Sequence, residues 1–448
     1  MSDANLTPTP TPQASEEQLD KVERSPWHDV WRDIAGGNVL RSVLAVLLAI
    51  FIGSLIVVFT DPRVTEAMGY FFSRPADTFS AMGEVIKAAY ESIFEGSIYS
   101  PRAGFKPLLS TLSFATPLIA AGLGLAVSFR AGLFNIGGQG QMLAGALLAG
   151  WVGASVPMPA GLHVLVAIFA AIAGAAIWAA IVGWLKAQTG AHEVILTIMF
   201  NWIALWGITF LLKQPLFNHE RAAGNAKSKP MLETAVLPQI GNVSIGIFIV
   251  ILAAVVFWWL FERSTIGFRI RAVGINPDAA RTAGINVNMV TIATMAISGA
   301  FIGIAAATQV LGKFPLGYTD KVDEGIGFSA ITVALLGGNH PVGVVFAGLL
   351  FGALRAGAAV MEVNAGISRD IIPVIQGIIV LFVAAPPLIR SIFRLPKPTG
   401  IRMADRFAAS RGREVKVSTA KTSANSTDSA SPYLDGRTAG ETDEKVDE

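Results

Sequence analysis

Long apolar runs separated by short polar breaks fill the chain from residue 39 to residue 390, and both flanks are polar. A helix needs roughly 20 apolar residues to cross the hydrocarbon core of a bilayer. On that measure the pattern predicts spans at 39–60, 107–127, 138–156, 162–185, 193–212, 244–261, 289–311, 341–361 and 369–390. A further apolar stretch, 326–337, is too short for a straight crossing and runs into Gly337-Gly338-Asn339-His340-Pro341, through which a helix does not easily continue. It reads as a broken or re-entrant segment, tolerable at membrane depth only when protein shields its backbone. The expected fold class is an all-α polytopic membrane bundle of about ten transmembrane helices.

Composition agrees. The 448 residues are 52% hydrophobic and 15% charged, with mean hydropathy +0.55, against about 25% charged residues in soluble domains. The net charge of +2 gives no reason to expect a nucleic-acid partner. The absence of cysteine excludes disulfides, thiolate zinc sites and iron–sulfur clusters. Five histidines without ligand spacing offer neither a metal site nor a nucleophile–base pair, so an enzyme is not expected and no cofactor is implied.

Three parts follow. Residues 1–38 form an N-terminal extension, partly disordered, with TPTPTP at 7–12 and no apolar core; it is not expected to be a cleaved signal peptide. Trp27 and Trp31, four apart, fit one face at the membrane surface. Residues 39–394 are the transmembrane domain. Residues 395–448 are a disordered tail, basic over 396–421 and acidic beyond, suited either to an anionic leaflet or simply to water. Ten crossings put both termini on one side. Arg263, Arg269, Arg271 and Arg281 in one loop, with Arg390 and Arg394 after the last span, make that side the cytoplasm.

The loop 263–288 carries a helix signal of its own. Asn276 is a capping residue, Pro277 suits the first helical position, and Asp278 favours the positive end. Ala279, Ala280 and Ala283 keep the helix slim, and Gly284 ends it. About two turns, roughly 12 Å, result. Such a helix suits docking in a groove of another protein; an ordinary interfacial helix has the same features.

GFRIRAVGINPDAARTAGINV (267–287) resembles the cytoplasmic coupling segment of permeases in the bacterial ATP-binding cassette importer family for ribose, nucleosides and branched-chain amino acids. GLFNIGGQGQMLAGA (132–146) is similar to that family's glycine-rich lead-in to the third span, and GIGFSAITVALLGGNHPVGVVFAGLLFG (325–352) to its late re-entrant segment and following helix. TGAHEVILTIMFNWIA (189–204) looks closer to the nucleoside branch than to the ribose branch. The resemblance covers roughly 40–390 in order. It implies a permease subunit with two cytoplasmic ATPase subunits, a second permease subunit (identical or related) and an extracytoplasmic substrate-binding lipoprotein, in the bacterial cytoplasmic membrane. It also implies that Gly267, Arg271, Gly274, Asn276, Pro277, Ala279, Ala280 and Gly284 couple to the ATPase. The chain has no G-x-x-x-x-G-K-[ST] loop, Gly312-Lys313-Phe314 being the nearest stretch, so ATP hydrolysis belongs to a partner.

Polar groups inside apolar spans face protein or a water path. Asn135, Gln139, Gln141, Asn201, Gln309, Asn339 and Gln376 are the candidates for a solute path, because amides both donate and accept; each serves equally as glue between helices. Phe114, Phe129, Phe200 and Trp202 are candidate stacking surfaces or plain packing. Glu193 is read as an acid favouring a helix start, and Arg355 as pairing with Glu324, Glu362 or Asp370 or snorkelling outward. Gly299-x-x-x-Gly303 and Gly348-x-x-x-Gly352 allow close helix approach. The expected function is nucleoside import. The alternatives are a permease for simple sugars such as ribose and an ion-coupled secondary transporter, which needs a buried carboxylate that the mid-span regions hardly offer.

Overall fold

The computed structural model describes residues 38–219, 224–240 and 243–393. The expectations for the extension, the tail, Trp27, Trp31 and Arg394 lie outside these residues.

The described chain is a helical bundle. Its helices are α1 (Asn38–Thr60), α2 (Pro62–Met68), α3 (Pro75–Ser97), α4 (Lys106–Arg130), α5 (Gly138–Ser155), α6 (Leu162–Thr189) and α7 (Glu193–Leu211). After a two-rung antiparallel ladder, β1 (Gln239–Ile240) with β2 (Val243–Ser244), come α8 (Gly246–Arg263), α9 (Thr265–Ile275) and α10 (Pro277–Thr282). Then follow α11 (Val287–Ala307), continued by a π-helical turn over Thr308–Lys313, and α12 (Ile326–Leu336), α13 (Pro341–Ala365), α14 (Ile371–Ala384) and α15 (Pro386–Phe393).

Seven of these helices are long and apolar enough to cross a membrane: α1, α4, α6, α7, α8, α11 with its π turn, and α13. The other three predicted spans fall short of that standard among the described residues. α5 carries two glutamines and several glycines, α12 has 11 residues, and the predicted span 369–390 is interrupted at Ala385, where Pro386-Pro387 leaves α14 with 14 residues.

The apolar pattern also passed over α3. Glu84, Lys87, Glu91 and Glu95 interrupt its hydrophobicity, yet Thr78, Val85, Ala89, Ser92 and Gly96 recur at three-, four- and seven-residue steps and form one buried face. That face packs on α13, where a Cβ on Gly96 would lie 2.9 Å from the Gly357 Cα. Asp61 caps α2, and Arg63, bonding its carboxylate at 2.8 Å, holds that carboxyl below the usual range.

Small residues set the spacing of the central helices. Gly299 and Gly303 of α11 press on the backbone of Ala175 and Ala171 in α6, and Gly352 of α13 faces the Thr111 carbonyl of α4, leaving no room for a Cβ. Phe257, Phe261, Phe351, Leu118 and Leu123 fill the centre, fully buried. His163, also fully buried, bonds Thr234 Oγ1 at 2.8 Å and the Val152 carbonyl at 3.1 Å, fastening the stretch around Thr234 to α5 and α6.

Candidate functional site

One end of the bundle is formed by the 264–286 segment. Ser264 caps α9 by accepting from the Gly267 N–H at 3.0 Å. Gly267 is jammed against the backbone of Leu260 and Phe261, and Gly274 against that of Arg130 and Ala131, so α9 is seated on the end of α4. Arg271 and Arg130 share Glu262 at 3.7 and 3.8 Å. The Arg130 guanidinium stacks over Phe261 and Phe257 at 4.7 and 5.3 Å, and its Nε donates to the Asn339 carbonyl at 2.8 Å. Arg130 thus ties α4, α8, α9 and the end of α12 together.

α10 projects from this platform. Asn276 Oδ1 accepts from the Asp278 and Ala279 N–H groups, each at 3.0 Å, behind Pro277 at the first position. Gly284 turns left-handed at φ 81° with open space around it. The two alanines differ: Ala280 is buried against its own chain, whereas Ala279 is exposed beside Asp278, Arg281 and an Ile275 that is 86% exposed.

Inside the bundle the amides separate by what they bond. Asn135 is fully buried. Its Nδ2 donates to Ser298 Oγ at 3.1 Å and its Oδ1 accepts from the Gly137 N–H at 2.8 Å. Asn201 accepts from the Gly140 N–H at 2.8 Å and donates to the Ile136 carbonyl at 3.0 Å. Both clamp the glycine-rich turn before α5. Gln141 donates to Asn135 at 3.3 Å while its Oε1 has no partner; Asn339 Oδ1 and Gln376 Nε2 are likewise buried and unpaired. Asn339 sits in the left-handed region at φ 57°. Glu193 does more than favour a helix start: it accepts from Lys186 Nζ at 2.7 Å and from the Phe134 N–H at 3.3 Å, while His192 provides the cap. Of the aromatics, Phe129 stacks on Phe134, Phe200 meets Trp178 edge to face, and Trp202 faces outward, 54% exposed.

A second polar group lies where α5, α11, α12 and α13 approach one another. Gln309 Nε2 donates to Glu324 Oε2 at 3.1 Å and to the Val322 carbonyl at 3.4 Å. Lys313 pairs with Glu324 and stands 4.5 Å over the Phe114 ring. Asp323 is 4% exposed, with the Gly325 backbone and the Gln139 side chain beside its carboxylate. Arg355 donates to Ser329 Oγ at 3.0 Å, with Glu324 and Asp323 as its nearby acids. Of the partners expected for Arg355, Glu324 is thus nearby, whereas Glu362 pairs with Arg369 at 3.7 Å.

Outside the mid-span regions, a carboxylate is nevertheless buried at Asp323. It lies in the connection 314–325, which looks like a surface loop in sequence but turns into the bundle, bonding Tyr318 to the Ala146 carbonyl at 2.9 Å and Asp320 to Thr209 at 3.0 Å. The available signal was an acidic cluster, Asp320, Asp323 and Glu324, directly before a short apolar helix. Next to Lys313, a recess lined by Ser113, Thr116, Gln239, Ser244, Thr308 and Gln309 holds about 20 Å³, room for a water but not for a solute of several rings.

The family model for the permease component of branched-chain amino acid transport systems matches residues 108–384. The chain is 37% identical over 366 residues to the guanosine ABC transporter permease protein NupP of Bacillus subtilis, a match covering 81% of this chain and 98% of that protein. It is 33% identical over 379 residues to the nucleoside ABC transporter permease protein NupB of Lactococcus lactis, covering 82% and 97%. The glucose ABC transporter permease protein TsgB13 of Haloferax volcanii is 33% identical over 289 residues, covering 61% and 75%. No solved structure matches.

Proposed function

Because the chain belongs to the family of permease components of branched-chain amino acid transport systems, we propose that it forms the translocation path of an ATP-binding cassette importer for nucleosides. The observation that carries the solute is the near full-length similarity to permeases named for guanosine and nucleosides. The shorter match to a glucose permease favours simple sugars as the second reading.

In this account the protein is a multi-pass subunit of the bacterial cytoplasmic membrane, with both termini cytoplasmic and the permease domain at 39–394. Cytoplasmic ATPase subunits, a second permease and an extracytoplasmic binding lipoprotein complete the importer. α5 and α14 act as short crossings beside the seven long ones. α12 acts as a re-entrant half-span: its 11 residues rise ~16 Å, about half of a ~30 Å hydrocarbon core. Support comes from its two ends, Gly327 packed on Gln139 and the Leu336 carbonyl accepting from Ser42 Oγ at 3.1 Å.

α10 acts as the coupling helix, presenting Ala279 and Ile275 to the ATPase, while Gly267, Arg271 and Gly274 seat α9 on the bundle. A push on α10 then reaches α12 through Arg130 and the Asn339 carbonyl. No bond of the solute is made or broken. Gln139 and Gln309 line the path, Asn135 and Asn201 brace it, and Gln141, Asn339 and Gln376 keep unpaired amide atoms available to a passing solute.

The test is uptake of a labelled nucleoside by cells without nucleoside import of their own, expressing the chain with its ATPase, second permease and lipoprotein. Uptake competed by unlabelled nucleosides and not by ribose or glucose is expected. Competition by the sugars alone selects the second reading.

A further inference from the structure

The N-termini of α5 and α12 meet head to head. A Cβ on Gly138 would lie 2.8 Å from the Gly327 carbonyl, and one on Gly327 would strike the backbone of Gln139. Glycines hold both cap positions and offer no side chain of their own; Asn201 takes the Gly140 N–H of α5 and the Asp323 carbonyl the Ile326 N–H of α12, while the two positive dipole ends point at one place.

Asp323 stands beside this meeting point, 4% exposed, and its Oδ2 has no hydrogen-bond partner. A buried acceptor left alone is costly, so Oδ2 is the atom here with unused capacity for a donor. Opposite it, Arg355 Nη2 lies 3.8 Å from the Cβ position of Gly325, and its hydrogen bond to Ser329 leaves further guanidinium donors unused among the described residues. Two successive left-handed residues, Glu324 at φ 44° and Gly325 at φ 71°, make the turn that brings these groups together. Glu324 is a strained position for a residue with a side chain, held by Lys313 and Gln309.

We propose that this junction is a solute subsite of the path, in which Asp323 Oδ2 accepts a hydrogen bond from the solute and Arg355 donates one to it. The inference rests on the nucleoside reading and deepens it. The ligand is neutral, since an anion meets Asp323 and Glu324, and a cation meets Arg355 and two helix N-termini. It presents an N–H or O–H donor next to an acceptor. A nucleoside offers that pair twice, on the 6-oxopurine edge, where a ring N–H adjoins a carbonyl, and on the vicinal ribose hydroxyls.

The experiment measures uptake of inosine and of purine riboside, which lacks the ring N–H and the carbonyl, by the complete importer carrying wild-type chain, Asp323→Asn or Arg355→Lys. Tagged protein in membranes is quantified alongside. Asp323→Asn is expected to lower inosine uptake about tenfold or more, the equivalent of one charge-assisted hydrogen bond, chiefly through KM. Purine riboside spared by the substitution assigns the base edge; an equal loss of both assigns the ribose. Should Asp323→Asn not reach the membrane, Arg355→Lys, which keeps the charge but loses the fork geometry, is expected to raise KM in the same pattern. Wild-type kinetics for both solutes in the inserted variant overturns the subsite. A wild-type importer that moves neither solute overturns the nucleoside reading, and the subsite with it.

Discussion

Asn135 and Asn201 spend their amide groups on the backbone of the Ile136–Gly140 turn and on neighbouring hydroxyls, which makes them braces for α5 in this conformation. Asn135→Leu strands the buried Gly137 N–H, a loss of about 1–3 kcal/mol. The thermal midpoint in detergent is therefore expected to fall by several degrees with the ranking of transported solutes unchanged. An altered ranking at an unchanged midpoint contradicts the bracing role. Sequence supplied the amides but not their division of labour, because the donors they serve are main-chain groups brought near only by the fold. Asp323 stayed hidden for the opposite reason: it lies outside every apolar run, and only the inward turn of 314–325 buries it.

Among the elements, those defined by local chemistry were legible and those defined by contact were not. Asn276, Pro277 and Asp278 mark the start of α10, and the glycines after Leu336 mark the end of α12, because caps and breaks depend on a few neighbouring residues. α3 was missed because its face pattern means burial only once α13 lies against it, and a search for uniform apolar runs passes over an amphipathic helix. α10 yields a prediction that separates docking from packing. Ala279→Trp, on the exposed side, is expected to insert normally and to abolish solute-stimulated ATP hydrolysis. Ala280→Trp, on the buried side, is expected to lower the amount of folded protein in the membrane, overpacking costing about 1–3 kcal/mol. Both are read by membrane yield and phosphate release. Normal stimulation in Ala279→Trp contradicts docking through this face.

For the whole molecule, the account rests on an engine outside the chain. The described bundle offers a rigid frame of glycine-mediated helix contacts, a platform held by Arg130, and a buried polar junction, but no phosphate-binding loop in its sequence. Asp323 gives the ion-coupled alternative the buried carboxylate it requires, so composition alone does not separate the two drives, and the family does. The deciding measurement is nucleoside uptake into proteoliposomes containing the chain with its ATPase, second permease and binding protein, with ATP or an imposed proton gradient as the sole energy source. The account predicts uptake that requires ATP, survives a protonophore, and stops when the phosphate-loop lysine of the ATPase is replaced. Uptake driven by the proton gradient without ATP, and collapsed by the protonophore, contradicts it.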